Sequence, residues 1–289
     1  MNEFSADWLA LREPADAAAR SVSLTRAIAG PLAREEEVHV LDLAAGTGSN
    51  VRYLVDHLSV RQRWLLVDGS SALLAQVPLR MSSWGIARGY EPTSVRGELV
   101  LRGDRRTCRV RSRLLDLRAL DDDGIFAGRV LVTASALLDL VSETWVRTLA
   151  DRCRENGAAV LFALTYDGAI RCVPEEPEDE MVRELVNRHQ RTDKGFGAAL
   201  GPDAAGLTER CFAGVGYRVR RERSDWELPP DAIGLQRPLI EGWAHAAAAT
   251  APAQAALIQG WRDRRLIHVE NRRSRLTVGH EDLAAWPTR

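Results

Sequence analysis

The run Val38-His39-Val40-Leu41-Asp42-Leu43-Ala44-Ala45-Gly46-Thr47-Gly48-Ser49-Asn50 constrains the fold of this chain more than any other segment. Val38 to Leu43 is short, β-branched and mostly apolar, which predicts a parallel strand buried on both faces. The small residues that follow predict a tight turn. Gly46 and Gly48 carry no side chain to block close approach of the backbone to a ligand. Asn50 to Leu58 then places Val51, Leu54, Val55 and Leu58 at helical spacing. The first N–H groups of such a helix have no partner within it and point at the turn. A strand, a tight turn and a helix in this order need parallel neighbours for the strand and helices over the sheet.

Two ligand classes compete for the turn. A dinucleotide site wants Gly-x-Gly-x-x-Gly, but counting from Gly46 the third glycine position is Val51. Asp42 also suits a cationic or amino-bearing ligand better than a pyrophosphate. Asp68 closes the next apolar run, Arg63 to Val67. An acidic residue at a second strand tip is placed to accept ribose hydroxyls, so an adenosine-type ligand is expected.

The remaining pattern alternates strands and helices. Helices are expected over about residues 14–33, 70–87 (interrupted near Pro78), 143–154, 178–190 and 203–213. Strands are expected at 129–134, 158–166, 217–224 and 274–278. Glu98 to Arg102 and Arg106 to Arg113 read as a β-hairpin with arginines on its wet faces, an insertion at about 97–113. About fifty residues rich in alanine and tryptophan separate the strands at 217–224 and 274–278, too many for a connection, and read as a helical cap at about 228–272. The expectation is an α/β, Rossmann-like, mainly parallel seven-stranded sheet with helices on both faces, in one domain over 1–289.

Composition narrows the function. The chain has 39 basic and 40 acidic residues and a net charge of −1, so no global field draws nucleic acid. Its 45% hydrophobic content is enough for a sizeable core. Four cysteines without Cys-x-x-Cys spacing point away from a zinc site or a disulfide framework. No apolar run is long enough to span a bilayer, and a cytoplasmic protein is expected. Lys194 is the one lysine among arginines. It lies in the densest polar cluster, Asn187 to Gly197, with His189 and Arg191.

On the bend and the acidic strand tips the chain resembles the class I S-adenosylmethionine-dependent methyltransferases. Ala44 stands where that family's acidic-x-Gly-x-Gly-x-Gly motif has its first glycine, and alanine is expected there only with a negative φ. The resemblance runs with motifs over about residues 38 to 166. The segments Trp8–Arg20, Ser135–Ser142 and His189–Pro202 look like a bacterial subgroup described only generically as methyltransferases. It implies S-adenosyl-L-methionine as cofactor and S-adenosyl-L-homocysteine as product. It implies cofactor contacts from Asp42, Ala44, Ala45, Gly46, Thr47, Gly48, Asn50 and Asp68. Asp116 and Leu117 would read adenine, Thr133 and Ala134 would face the methyl group, and Arg20 would reach the methionyl carboxylate.

Outside the motif, His189, Asp139 and Tyr166 are the candidate catalytic residues, with Arg191, Lys194 and Asp139 as candidate substrate contacts. The residue pattern requires no metal. The expected reaction is methyl transfer to an oxygen, with nitrogen as the second choice, of a small polar or anionic metabolite. A non-catalytic cofactor binder and an RNA-modifying methyltransferase are the alternatives, although nucleic acid is disfavoured as a partner. Oligomeric state is left open.

Overall fold

A computed structural model describes residues 5–118, 120 and 122–288 of the chain. Strands are β1 (Val38–Leu43), β2 (Arg61–Asp68), β3 (Glu91–Val95), β4 (Glu98–Arg102), β5 (Thr107–Leu114), β6 (Leu131–Ser135), β7 (Ala159–Val173), β8 (Tyr217–Arg223), β9 (Trp226–Leu228) and β10 (Arg275–Pro287). Helices are α1 (Ala6–Ala19), α2 (Val22–Leu32), α3 (Ser49–Leu54), α4 (Ser71–Leu74), α5 (Val77–Ile86), α6 (Glu143–Glu155), α7 (Asp179–Gln190), α8 (Ala204–Gly214), α9 (Ile233–Thr250) and α10 (Ala255–Glu270).

One ten-stranded sheet carries the order β3-β4-β5-β2-β1-β6-β7-β10-β8, with β9 paired to β10. The stretch β5-β2-β1-β6-β7 is parallel throughout. Beyond it β10 runs antiparallel to both β7 and β8, and β3 and β4 add antiparallel strands at the other edge. The chain winds outward from β1 to β2 and then crosses back to β6. The topological switch point therefore lies between the tips of β1 and β6, where open α/β sheets bind ligands.

One apolar cluster joins Leu41, Leu43, Leu65 and Val67 to α6 and α8 on one face. A second joins Val38, Val40, Trp64 and Leu66 to α2, α3 and α5 on the other. Alternate residues of each central strand feed opposite clusters, which is why β1 and β2 read as near-continuous apolar runs. A third cluster packs the extended arms of β7 and β10 against α7 and the cap helices α9 and α10.

Four expectations change. The helix expected over 14–33 is two helices broken at Arg20 and Ser21. Ser21 caps α2, its Oγ accepting from Leu24 N at 3.0 Å, while Arg20 turns inward. The hairpin expected at 97–113 is not an insertion. Its second arm is β5, a central strand paired to β2 over eight residues, because Cys108 and Val110 are buried on one face while arginines occupy the other. The strand expected at 274–278 continues to Pro287 through register shifts between Val278 and His280 and between Glu281 and Leu283. The sheet has ten strands where seven were expected, because the hairpin arm β4 and the unexpected strands β3 and β9 join it. α9 and α10 occupy the span read as the cap.

Candidate functional site

Asp42 is next to last in β1 and is fully buried. Burial pushes its carboxyl up to about 7. The Asn50 hydrogen bond and the Arg20 charge oppose that rise, and the like charge of Asp68 adds to it. Asn50 Nδ2 donates to Asp42 Oδ1 at 2.6 Å and to Thr133 Oγ1 at 3.1 Å, and Thr133 Oγ1 donates to Leu161 O at 2.7 Å. Arg20 Nη1 donates to Asn50 Oδ1 at 2.6 Å, and its guanidinium lies 4.5 Å from the centre of the Tyr53 ring. Side chains from the break after α1, the tip of β1, the start of α3 and β6 thus form one buried chain of hydrogen bonds.

Two atoms in this cluster are left over. Asp42 Oδ2 and Thr47 Oγ1 are buried and have no hydrogen-bond partner among the described residues. A buried carboxylate oxygen without a donor costs free energy that a donating or cationic ligand group removes.

The bend takes the form the small residues predict. Gly46 and Gly48 have φ of 54° and 82°. Ala44 also has a positive φ, 52°, contrary to the expectation that alanine would hold a negative one. The backbone turns left-handed there at some strain. Ala45 N donates to Val67 O at 3.1 Å, tying the bend to β2. Asp68 holds the bend from the second strand tip, with Oδ2 accepting from Gly46 N and Oδ1 from Ser70 N, both at 2.8 Å. A Cβ added to Gly46 would lie 2.9 Å from Leu9 Cδ1, so α1 rests directly on the bend.

Asp116 and Leu117 follow β5. Asp116 is exposed and accepts from Arg118 N and Nε at 3.0 and 2.9 Å, and these bonds bring its carboxyl down to about 2. Leu117 is buried, and its carbonyl accepts from Trp145 Nε1 at 2.6 Å. Ala45 and Ala134 are buried beside the bend and at the end of β6.

A second group of polar side chains gathers beyond the tips of β6 and β7. Asp139 lies in the short 3-10 turn after β6, buried, with Oδ1 lacking a partner among the described residues. Burial pushes its carboxyl up to about 6, against the Asp139 amide, the Arg12 charge, the Tyr166 amide and the Lys194 charge. Lys194 Nζ donates to His189 O and Thr192 Oγ1, both at 3.0 Å, and lies 3.3 Å from His189 Nδ1. Burial, the Lys194 charge and His245 lower the His189 imidazole below its ordinary range. Tyr166 donates from its hydroxyl to Asn187 Oδ1 at 2.7 Å, and burial raises its phenol. Arg191 points elsewhere, with Nη2 3.0 Å from Asp203 Oδ2 and Nη1 donating to Asn187 O.

Residues not singled out in the sequence complete this group. His280 sits at the bulge in β10, buried, its ring 5.1 Å from Trp226 and 6.2 Å from Tyr166. Burial, with the Arg12 charge, pushes its imidazole down to about 3, so it is neutral near neutral pH. Arg12 of α1 lies 5.0 Å over the Trp226 ring and pairs with Asp16 at 3.0 Å, and Asp16 Oδ1 accepts from Trp226 Nε1 at 3.1 Å. His280 lies past the expected end of its strand, so no strand periodicity marked it.

Among the described residues no group of three or more His, Cys, Asp or Glu side chains is arranged to hold a metal ion, and no helix is long and apolar enough to cross a membrane.

No family model matches the chain, and no curated protein matches it. Among solved structures it is similar to a Haemonchus contortus phosphoethanolamine N-methyltransferase 2 in complex with phosphomonomethylethanolamine and S-adenosylhomocysteine. The identity is 15%, over 100% of this chain and 58% of that chain, with a TM-score of 0.47. This chain therefore spans little more than half the length of that enzyme. It is also similar to a cyclopropane synthase from Mycobacterium tuberculosis (12% identity, 98% of this chain and 95% of that chain, TM-score 0.49). A third is an S-adenosylmethionine-dependent methyltransferase from Geobacter sulfurreducens in complex with S-adenosyl-L-homocysteine (15% identity, 100% of both chains, TM-score 0.46). Likeness at this level transfers no activity or substrate, and the functional reading rests on the side chains.

Proposed function

We propose that this chain is an S-adenosylmethionine-dependent methyltransferase acting on an oxygen, with nitrogen as the second choice, of a small polar or anionic acceptor. The observation that carries the reading is Asp42. It is a buried carboxyl with one oxygen unpartnered, set at the switch point of a doubly wound sheet beside a glycine bend. That site suits a ligand bearing an ammonium group close to a nucleoside. Arg20 and Asn50 stand beside Asp42 and would hold the ligand's carboxylate. Asp68 keeps lone pairs for ribose hydroxyls beyond those used by Gly46 and Ser70. Asp116 is restrained only by an exposed pair with Arg118, which is weakly held.

Bound S-adenosylmethionine supplies a methyl group on a positively charged sulfur, an electrophile that needs little further activation. The chain's part is then to position, desolvate and handle one proton. Asp139 is a buried carboxyl near the tip of β6, with a free oxygen and an affinity for protons tuned close to neutrality. It would take the proton of a hydroxyl acceptor at Oδ1. Arg12 and Lys194 both act on Asp139 and would draw an anionic acceptor towards it. An acceptor that is already a carboxylate needs no base. His189, held neutral, is the second candidate base. His280, Trp226 and Tyr166 are buried together and would form an aromatic wall on this side.

Calorimetry with S-adenosylmethionine and S-adenosylhomocysteine tests the reading directly. Both are expected to bind, and Asp42→Ala is expected to weaken both at least about tenfold, as loss of a charge-assisted contact does. Absence of heat with either compound would reject the proposal. For any acceptor found, transfer to a hydroxyl should rise with pH around 6, and Asp139→Asn should lower kcat more than it raises KM. An unchanged profile in that variant would remove Asp139 as the base.

A further inference from the structure

We propose that the arginine-lined hollow over β5, beside β2 and the start of β4, is a binding site for a small phosphate-bearing anion, separate from the methyl-transfer site. Residues at every second position of a strand share a face, so Arg109, Arg111 and Arg113 form a row spaced about 6.6 Å apart. Cys108 and Val110, which alternate with them, face the opposite side and its apolar cluster. Arg63 of β2 is in register with Arg109 and so lies on the same face. The apolar packing of that face includes Leu65 and Val67 of β2 and does not extend over β5. In its place lies a cavity of about 330 Å³, lined by Arg63, Arg111, Arg113, Arg129 and Glu98 and bounded by Gly124. That volume suits a small ligand.

The counter-charges fall short. Glu37 serves Arg63 at 3.4 Å but is shared with His39 at 3.0 Å. Asp122 pairs with Arg113, and Glu98 lies 3.9 Å from Arg109. Arg111 and Arg129 have no carboxylate partner among the described residues. Arg129 donates from Nε to Ile125 O at 3.0 Å. Burial and the neighbouring Arg63 charge both work against its guanidinium.

Like charges side by side on paired strands destabilise a sheet. Here Arg63, Arg111, Arg113 and Arg129 are gathered around a concave space, and planar guanidinium forks bind phosphoryl oxygens. A ligand with two phosphoryl groups matches the two uncompensated cations. A single sulfate-like ion would leave one unmatched.

Titration of the full chain with sodium pyrophosphate at low ionic strength tests the proposal. One site is expected, with Arg111→Gln weakening binding at least about tenfold and Arg111→Lys falling between the two. Arg111 is exposed, so its replacement leaves the fold intact, and equal melting temperatures would verify that. Arg171→Gln, remote from this face, should bind as the wild type does. Asp42→Ala should also keep full pyrophosphate affinity, so this site and the methyl-transfer reading can fail separately. No heat from pyrophosphate, or equal affinity in Arg111→Gln, would overturn the proposal. So would a single-stranded RNA oligomer that binds this face when pyrophosphate does not, since the face would then be a nucleic-acid track.

Discussion

Asp42 sets a conflict between stability and binding within one side chain. In the unfolded chain its carboxyl titrates near 3.8, and in the folded chain near 7. Between those values the folded protein holds a proton that the unfolded chain has released. Stability therefore falls as pH rises from about 4 to 7 and stays low above it. A shift of this size corresponds to at most about 4 kcal/mol. Asp139, raised to about 6, adds a smaller loss of the same sign. Asp42→Asn should consequently melt higher than the wild type at pH 8 without ligand, and close to it at pH 4, by scanning calorimetry. The same substitution should weaken S-adenosylmethionine binding. Wild type and variant melting with identical pH profiles would contradict the buried, proton-binding state of Asp42.

At the level of elements, a buried cation helps to hold α10 against α7. Arg265 of α10 has no exposed side-chain surface and pairs with Asp179 at the start of α7. Asp179 Oδ1 also accepts from Arg265 Nε at 3.0 Å and from Trp261 Nε1 at 2.7 Å. Removing one partner of such a pair leaves the other desolvated, so Arg265→Ala should destabilise the fold by about 3–5 kcal/mol, measured by urea unfolding. Proteolysis should then cut first within 228–272. That helices fill this span was legible in the sequence because its length and small apolar residues fit no connection. β1, β2 and α6 were legible too, since both faces of each strand and one face of the helix are buried. β5 was misread because arginine fills its open face and alternates with the buried Cys108 and Val110. The bend, Asp42 and Asp68 could be found from local spacing alone. Arg12 and His280 could not, because Arg12 meets Trp226 and His280 meets Tyr166 only through contacts between distant parts of the chain.

Across the whole molecule, α1 and the residues just past it are tied to distant elements, three ties among them. Arg52 Nη2 meets Glu13 Oε2 at 2.6 Å, Asp16 accepts from Trp226, and Ser21 N, just past the helix, donates to Asp282 Oδ2 at 2.8 Å. The first tie reaches α3, the second β9 and the third β10. Glu13→Gln removes one charge from the half-buried pair and should speed release of S-adenosylhomocysteine by several-fold, with a smaller effect on its association rate, in stopped-flow displacement. An unchanged release rate would mean that α1 does not govern the site.

Leu9 rests on Gly46, and the chain turns sharply at Arg20, whose side chain itself belongs to the hydrogen-bonded cluster around Asp42. Lifting the first helix would therefore disturb the pocket's own wiring. Docking and latching become a single event, so turnover would be paced by how often this clasp springs open.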